Sequence, residues 1–200
     1  MGYALAGIFG YLLGSVSFAA LIAKRYGINI FNEGSGNPGA TNVKRVLGKK
    51  AGNLCFALDF LKGAASVGAP LLLYPLLSVV ESSSTYAAFA GFLGALLGHS
   101  YSIFLGFRGG KGVAVTIGGF LVLMPPVLLT GVLIWVAVYY ASGYVSLASL
   151  LLGISLPLGG WAFGYSIPYI VFGAVAMLFI LVRHRSNIRR LLSGKEAGFR

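Results

Sequence analysis

Residues 112–182 read GVAVTIGGFLVLMPPVLLTGVLIWVAVYYASGYVSLASLLLGISLPLGGWAFGYSIPYIVFGAVAMLFILV, a run of 71 residues without a charged side chain or a histidine. The interior of a 200-residue globule is too small to bury such a run, so the run must contact lipid. The sequence therefore predicts transmembrane helices and, for the whole chain, an all-α integral membrane protein.

The composition of the chain agrees with this prediction. Hydrophobic residues make up 58% of the sequence and charged residues only 10%, whereas a soluble domain has about a quarter of its residues charged. Soluble enzymes and DNA-binding proteins are thereby excluded, and we expect no nucleic-acid partner despite a net charge of +11. The single cysteine, Cys55, excludes a disulfide framework and a thiolate zinc cluster. We expect no metal and no other cofactor.

Three further apolar stretches precede the long run, at residues 3–23, 51–77 and 86–105. The first ends at Lys24 and Arg25, whereas a signal peptide carries its charge before the apolar stretch, so we expect a retained helix. Helix-breaking residues divide the long run at Pro125-Pro126, at Ser142-Gly143 and between Gly159-Gly160 and Pro168. The resulting pieces are residues 113–124, 127–141, 145–163 and 167–182.

The first two pieces are short, about 18 and about 22 Å against a hydrocarbon core of about 30 Å. One kinked span over residues 113–141 is the alternative. With seven spans all 15 lysines and arginines lie on or toward one face, whereas with six the basic C-terminal tail moves to the other face. The positive-inside rule therefore predicts seven transmembrane helices in a single domain, residues 1–200, with the N-terminus outside and the C-terminus in the cytoplasm. Two of the spans are short and are broken at Pro125-Pro126.

Two glycine-rich segments lie on the predicted cytoplasmic face. In residues 33–42, EGSGNPGATN, we expect backbone N–H groups to converge on an anion, with the Arg45 guanidinium nearby for a phosphate. Residues 106–113, GFRGGKGV, lead into a helix whose N-terminus suits a phosphate, although the spacing is not that of a Walker A motif. An ordinary glycine turn and a positively charged membrane anchor are the respective alternatives.

A third cytoplasmic segment, residues 183–196, is rich in arginine. His184 and Asn187 are three residues apart and would share one face of a helix. Contact of the arginines with acidic lipid headgroups is the alternative function of this segment.

Other polar side chains lie within the predicted spans. Asp59 and Lys62 are expected to pair with each other or with the loops, because isolated charges are costly in a membrane. His99 either lines the site or donates to a backbone carbonyl. Ser146 and Ser149 share a helix face and either offer hydroxyls to the site or bond to their own backbone.

The chain carries four motifs in order: GSGNPGATNV at residues 34–43, GGKGV at 109–113, YVSLAS at 144–149 and RHRSNIRRLL at 183–192. Together with LDFLKG at residues 58–63, they resemble the bacterial acyl-phosphate:glycerol-3-phosphate acyltransferases, the PlsY family, over nearly the whole chain. The resemblance implies a multi-pass enzyme of the bacterial inner membrane whose active site faces the cytoplasm. We expect it to be a monomer surrounded by membrane lipids.

The resemblance also implies a reaction and a set of site residues. A fatty acyl group passes from acyl phosphate to the 1-hydroxyl of sn-glycerol 3-phosphate, giving lysophosphatidic acid and phosphate, the first step of bacterial phospholipid synthesis. The catalytic residues implied are Ser35, Arg45, Lys111, His184 and Asn187. The residues implied to bind substrate or phosphate are Gly34, Gly36, Asn37, Asn42, Gly109, Gly110, Gly112 and Ser149. Glu196 is expected to be structural.

Two positions depart from the family pattern. Ser102 replaces a usual proline, and Gly143 replaces a usual basic residue before the YVSLAS motif. The second departure removes a positive charge near the predicted site.

Electrostatic and positional catalysis is the predicted mechanism, since an acyl phosphate is already activated. The proton of the attacking hydroxyl goes either to His184 or to a phosphate oxygen of glycerol 3-phosphate, as the resemblance favours. A small anion or organophosphate transporter is the alternative function, because Asp59, Lys62 and His99 place polar groups within the spans. A scaffold subunit whose loops bind lipid headgroups is a third.

Overall fold

The computed structural model describes residues 2–76 and 81–198, and within them it contains α-helices, one 3-10 turn and no β-strand. The chain divides into two compact units, Met1–Leu123 and Met124–Arg200. The helices of the first unit are α1 Gly2–Ser15, α2 Phe18–Arg25, α3 Ala40–Leu47, α4 Lys49–Leu76, α5 Glu81–Ser100 and α6 Val113–Leu123. Those of the second are α7 Pro125–Ser142, α8 Val145–Ala162, α9 Ile167–Arg183 and α10 Arg185–Leu192.

Four helical segments of the described residues are long and apolar enough to cross a membrane, namely Gly2–Arg25, Lys49–Leu73, Pro125–Ser142 and Val145–Ala162. Helices α9 and α10, bent by 63°, make a fifth if they are taken together, and α6 is a shorter apolar helix. The all-helical prediction is therefore confirmed. The count of seven spans and their orientation stay predictions.

The first apolar stretch, residues 3–23, lies within the candidate span Gly2–Arg25 as predicted, but the helix is interrupted once. The chain leaves the helical conformation after Ser15 and resumes it at Phe18. Ser17 is extended and its side chain accepts a hydrogen bond from the Ala20 N–H at 3.3 Å, so it caps the N-terminus of α2.

Other elements of the first unit satisfy the carbonyl groups that this break exposes. Lys62 Nζ, from α4, donates to the carbonyl oxygens of Gly14 at 3.0 Å and Val16 at 2.8 Å. Between them, Ser102 Oγ donates to the carbonyl oxygen of Ser15 at 2.6 Å. A break within a membrane span needs such internal donors, because lipid offers none.

The predicted break at Pro125-Pro126 is confirmed. Helix α6 ends at Leu123, Met124 caps the next helix, and the two prolines occupy the first positions of α7, where no N–H is needed. Helix α6 has 11 residues, about 16 Å, and is short as expected. Helix α7 has 18 residues, about 27 Å, and is longer than predicted because it includes the prolines.

Small residues allow the helices of the first unit to approach each other closely. A Cβ at Gly10 or Gly14 of α1 would collide with the backbone of α5, and one at Gly94 or Gly98 of α5 would collide with the backbone of α1. Gly118 of α6 lies equally close to the backbone of α4. This is the small-residue packing typical of membrane helices.

Candidate functional site

Asn42, in the first turn of α3, organises the first glycine-rich loop. It is 1% exposed, and its Oδ1 accepts a hydrogen bond from the Ser35 N–H at 2.9 Å. Its Nδ2 donates to the carbonyl oxygens of Glu33 at 2.9 Å and Ile30 at 3.4 Å. Both ends of the amide therefore hold the backbone of the loop in place.

The loop uses its own N–H groups internally. Besides Ser35, Gly36 donates to the Glu33 carbonyl and Gly39 to the Asn37 carbonyl, both at 2.9 Å. The prediction that the backbone N–H groups of this loop converge on an anion is therefore wrong for these three groups, because the tight turns need them.

The loop nevertheless presents its polar side chains outward. Ser35 is exposed and Asn37 is half-buried, while Gly34 and Gly36 adopt positive φ angles of 56° and 66°. Arg45, one turn of α3 beyond Asn42, is exposed. The first unit thus offers a hydroxyl and a guanidinium on the same surface segment.

The second glycine-rich loop joins α5 to α6. Gly110 N–H donates to the His99 carbonyl at 3.0 Å, which fastens the loop to the end of α5. Gly112 has a φ of 82° and its carbonyl accepts from the Thr116 N–H at 2.8 Å and the Thr116 hydroxyl at 2.9 Å, so α6 begins here. Lys111 is half-buried between the two glycines, directly before the helix.

The first and second loops lie against each other. The Arg108 guanidinium carbon is 3.9 Å from the centroid of the Phe31 ring, a cation–π contact. A Cβ built on Gly110 would lie 3.1 Å from the carbonyl oxygen of Pro38. The structure therefore brings the exposed Ser35 segment and the Lys111 segment together within the first unit.

A buried cluster of charged side chains lies beneath these loops. Lys62 Nζ is 2.8 Å from Asp59 Oδ1, and both side chains are 2% exposed, which confirms that the two residues pair. His99 Nδ1 is 3.7 Å from the same carboxylate oxygen, and the Cys55 thiol donates to the other oxygen at 3.7 Å. The Asp59 carboxylate thus connects α4 with the end of α5.

Glu196 holds the predicted site residues of the second unit. Its Oε1 accepts hydrogen bonds from Ser146 Oγ at 2.7 Å and from Asn187 Nδ2 at 2.6 Å, and its Oε2 accepts from Arg190 Nε at 2.7 Å. Burial alone would raise the pKa of Glu196, but these hydrogen bonds and the Arg190 charge outweigh it and hold the pKa below its usual value. The structural role expected of Glu196 agrees with this arrangement.

His184 lies at the bend between α9 and α10, directly before the helix that carries Asn187, so the two residues do not lie within one helix. The bend brings both residues into the interior, where they are 3% and 6% exposed. His184 Nδ1 is 2.9 Å from the Ile180 carbonyl oxygen. Since a carbonyl only accepts, Nδ1 carries a hydrogen, and Nε2 is the nitrogen with a lone pair in the neutral ring.

The Ser149 hydroxyl forms its hydrogen bonds with α7 and α8. Its hydroxyl donates to the Val145 carbonyl at 2.8 Å and accepts from Trp135 Nε1 at 3.3 Å, and the residue is 2% exposed. Of the two serines predicted on α8, Ser146 contacts Glu196 of the arginine-rich segment 183–196, and Ser149 bonds to its own backbone.

The sequence matches the family described as Glycerol-3-phosphate acyltransferase over residues 4–194. A glycerol-3-phosphate acyltransferase of Aquifex aeolicus is 45% identical over 195 residues, which cover 96% of each chain. One of Desulfotalea psychrophila is 38% identical over 193 residues, again 96% of each chain. This chain belongs to the glycerol-3-phosphate acyltransferase family.

Solved structures agree with the family assignment. A crystal structure of PlsY (YgiH), an integral membrane glycerol 3-phosphate acyltransferase in its glycerol 3-phosphate form, superposes with a TM-score of 0.91 at 40% identity. The lysophosphatidic acid form gives a TM-score of 0.89 at 40% identity. Each comparison covers 100% of this chain and 96% of the other. The chain is accordingly an all-α, multi-pass integral membrane acyltransferase, and these relatives give no support to the transporter alternative.

Sequence reasoning missed the pair of residues that joins the two glycine-rich loops, Arg108 and Phe31. The only sequence signal for this pair was the position of each residue within or beside a glycine-rich segment. A contact between side chains 77 positions apart has no local signature.

Proposed function

We propose that this chain transfers a fatty acyl group from acyl phosphate to the 1-hydroxyl of sn-glycerol 3-phosphate, giving lysophosphatidic acid and phosphate. One observation carries the proposal: the loop that ends in Lys111 at the start of α6 lies against the loop that exposes Ser35. A lysine beside a helix N-terminus suits a phosphate group. The glycerol 3-phosphate and lysophosphatidic acid forms of the PlsY structures support the acceptor and the product.

The reaction breaks the anhydride bond between the acyl group and phosphate and forms a carboxylic ester bond. The hydroxyl oxygen of glycerol 3-phosphate attacks the acyl carbonyl carbon, and the bond from that carbon to the phosphate oxygen breaks. Phosphate leaves with the electron pair of that bond. We assign to Arg45 and Lys111 the stabilisation of phosphate charge, and to Ser35 a hydrogen bond to a substrate, because these side chains are presented by adjacent loops.

The glycines and amides of the two loops act through the backbone. Gly109, Gly110 and Gly112 allow the close approach and the positive φ that place Lys111 before α6. Asn42 serves substrate binding by fixing the backbone of the first loop, since its amide bonds the loop itself. Asn37, half-buried, and the adjoining Gly34 and Gly36 complete that loop.

The proton of the attacking hydroxyl passes to a phosphate oxygen of glycerol 3-phosphate in the mechanism that we favour, and His184 Nε2 is the alternative base. The His184→Gln variant distinguishes them, because loss of a general base usually costs about 100-fold or more in rate. A rate above about a tenth of the wild-type value rejects His184 as the base. Asn187 and Ser149 are assigned supporting roles on their helices, in agreement with their bonds to Glu196 and Val145.

We further propose that the site faces the cytoplasm from the bacterial inner membrane, with seven spans, the N-terminus outside and the C-terminus inside. The bias of basic residues supports this orientation. The family match runs through both compact units, which supports a single domain over residues 1–200. We propose a monomer, with membrane lipid around the helices and no cofactor.

Phosphate release by the purified protein tests the function. In detergent, palmitoyl phosphate is supplied with and without glycerol 3-phosphate, and we expect release that depends on the acceptor. Lys111→Ala should lose nearly all of this release, whereas Lys49→Ala, which removes an exposed lysine at the start of α4, should keep it. A folded wild-type preparation without acceptor-dependent release would contradict the proposal.

A further inference from the structure

His99, the penultimate residue of α5, connects the buried charges of the first unit with the second glycine-rich loop. It is 8% exposed, and its Nδ1 is 3.7 Å from Asp59 Oδ1. The same oxygen is 2.8 Å from Lys62 Nζ, and Lys62 also donates to two carbonyl groups of the broken first span. One edge of the imidazole therefore lies beside a buried charged pair within the membrane helices.

The other edge of the ring faces the loop. A Cβ at Gly110 would collide with His99 Nε2 and would lie 2.9 Å from Cε1, so the ring fills the space beside this glycine. The backbone reinforces the contact, because the Gly110 N–H donates to the His99 carbonyl at 3.0 Å. At Gly109 a Cβ would collide with the same carbonyl. Ring and carbonyl of one residue thus fix two consecutive positions of the loop.

Lys111 follows Gly110 directly, and α6 begins two residues later, at Val113. Any movement of Gly110 away from the ring would move the Lys111 backbone and, with it, the ammonium group assigned to phosphate. Misplacement of a substrate-positioning group by about 1 Å can cost about 100-fold in catalytic efficiency, kcat/KM. The contact of His99 with Gly110 is therefore placed to affect the binding of a phosphorylated substrate.

We propose that His99 is a positioning residue for this acyltransferase: lying between Asp59 and the loop, its ring holds Gly110, and thereby Lys111, in the conformation that binds a substrate phosphate. This inference rests on the proposed function. It predicts a change in KM for one of the two phosphorylated substrates, since His99 acts through Lys111 and takes no part in the proton transfer.

Three variants test the contact. His99→Asn keeps a donor near Asp59 but removes the Nε2 edge, and we expect KM to rise about threefold, with about tenfold for His99→Ala and kcat within about threefold of wild type in both. Gly110→Ala places a methyl group against the ring and should raise KM by more than about tenfold. The matched control is Gly68→Ala, also within the first unit, where an added Cβ meets nothing within 4 Å.

The double variant gives the decisive result. His99→Asn/Gly110→Ala should have a lower KM than Gly110→Ala alone, because the shorter side chain makes room for the methyl group. The inference would be overturned by a double variant whose KM is as high as that of Gly110→Ala or higher. It would also be overturned by His99 variants with unchanged KM or with losses confined to kcat. In each case, activity of the wild type would leave the proposed function standing. Absence of acceptor-dependent release in the wild type would instead overturn the function. Should His99→Ala fail to fold, the Asn and double variants decide.

Discussion

Asp59 in the first unit and Glu196 in the second are both acidic side chains that hold predicted site segments, but their surroundings differ. Asp59 and its partner Lys62 are each 2% exposed, and they lie within α4, among membrane helices. Glu196 is 8% exposed at its side chain, and its partner Arg190 is 44% exposed near the end of the chain.

The difference shows how access to water determines how well a charge cluster tolerates the loss of one of its members. Removing one partner from a buried pair leaves an uncompensated charge, because no water replaces the lost partner. A pair with one exposed partner loses less, because water solvates whichever group remains. We therefore expect the Asp59 cluster to tolerate substitution less well than the Glu196 cluster. The following variants measure this difference as a change in unfolding free energy.

Lys62→Met should have the largest effect. It leaves the Asp59 carboxylate buried without its cation and removes the donor to the Gly14 and Val16 carbonyls, so we expect a loss of about 3–5 kcal/mol in unfolding free energy. Thermal unfolding in detergent provides the measurement. Lys49→Met, an exposed lysine of the same helix, is the control and should change little. Adding Asp59→Asn should recover part of the loss, and a double variant no more stable than Lys62→Met would contradict the pairing.

Glu196→Gln should cost less, about 1–3 kcal/mol, because it removes the charge that accepts three hydrogen bonds and turns an NH₂ group toward donors. Glu33→Gln, at an exposed carboxylate, is the matched control for thermal unfolding. Equal losses in the two variants would show that the Glu196 bonds contribute nothing.

The Glu196 bonds also predict a pH dependence. Because the pKa of Glu196 is lower in the folded protein, its contribution to stability is fully present above the usual glutamate pKa of about 4.5 and is lost as the pH falls through the lower folded value. Unfolding midpoints of wild type and Glu196→Gln should therefore converge as the pH falls below about 4.5. A difference in unfolding midpoint between the two proteins that does not change with pH would show that Glu196 is not ionised in the folded protein.

Ser102→Ala should cost about 1 kcal/mol, because it leaves the Ser15 carbonyl of the broken first span without this donor. Ser102→Pro loses the same bond and also the N–H bond to the Arg108 carbonyl, although a φ of −64° already suits proline. Thermal unfolding should therefore rank wild type above Ser102→Ala and Ser102→Ala above Ser102→Pro. Ser186→Ala, at an exposed serine, is the control.

Arg108→Leu should have the smallest effect on stability, about 0.5–1 kcal/mol, since its contact with Phe31 lies at an exposed position. Arg25→Leu, at an exposed arginine that ends α2, serves as the control. A loss of several kcal/mol in unfolding free energy would show that the contact between the two loops is stronger than a surface cation–π pair. Exposed and buried charges would then differ less in their effect on stability than we expect.

The elements that the sequence predicted best are those with a local signal. Residues that break helices placed the boundary between α6 and α7 correctly, and the apolar pieces at residues 145–163 and 167–182 correspond to α8 and α9. The motifs led to the right family because several of them occur in order along one chain.

The features that the sequence did not predict depend on contacts distant in sequence. Lys62 and Ser102 satisfy the carbonyls at the interruption of the first span, and neither residue is near it along the chain. His184 and Asn187 are three residues apart, a spacing that predicts one helix unless the bend at His184 is known. The amide of Asn42 bonds its own loop, a role that residue type alone does not distinguish from substrate binding.

The sequence by itself determined that this chain lies in a membrane, where its helices begin and end to within a few residues at the strongest breakers, and which family it belongs to. Composition, helix breakers and ordered motifs are local properties, and each can be read without coordinates. Only the tertiary structure decided which residues distant in sequence meet: Asp59 with His99, the His99 ring with Gly110, and Arg108 with Phe31. In lipid every buried polar group needs an internal partner, and packing of the helices selects that partner.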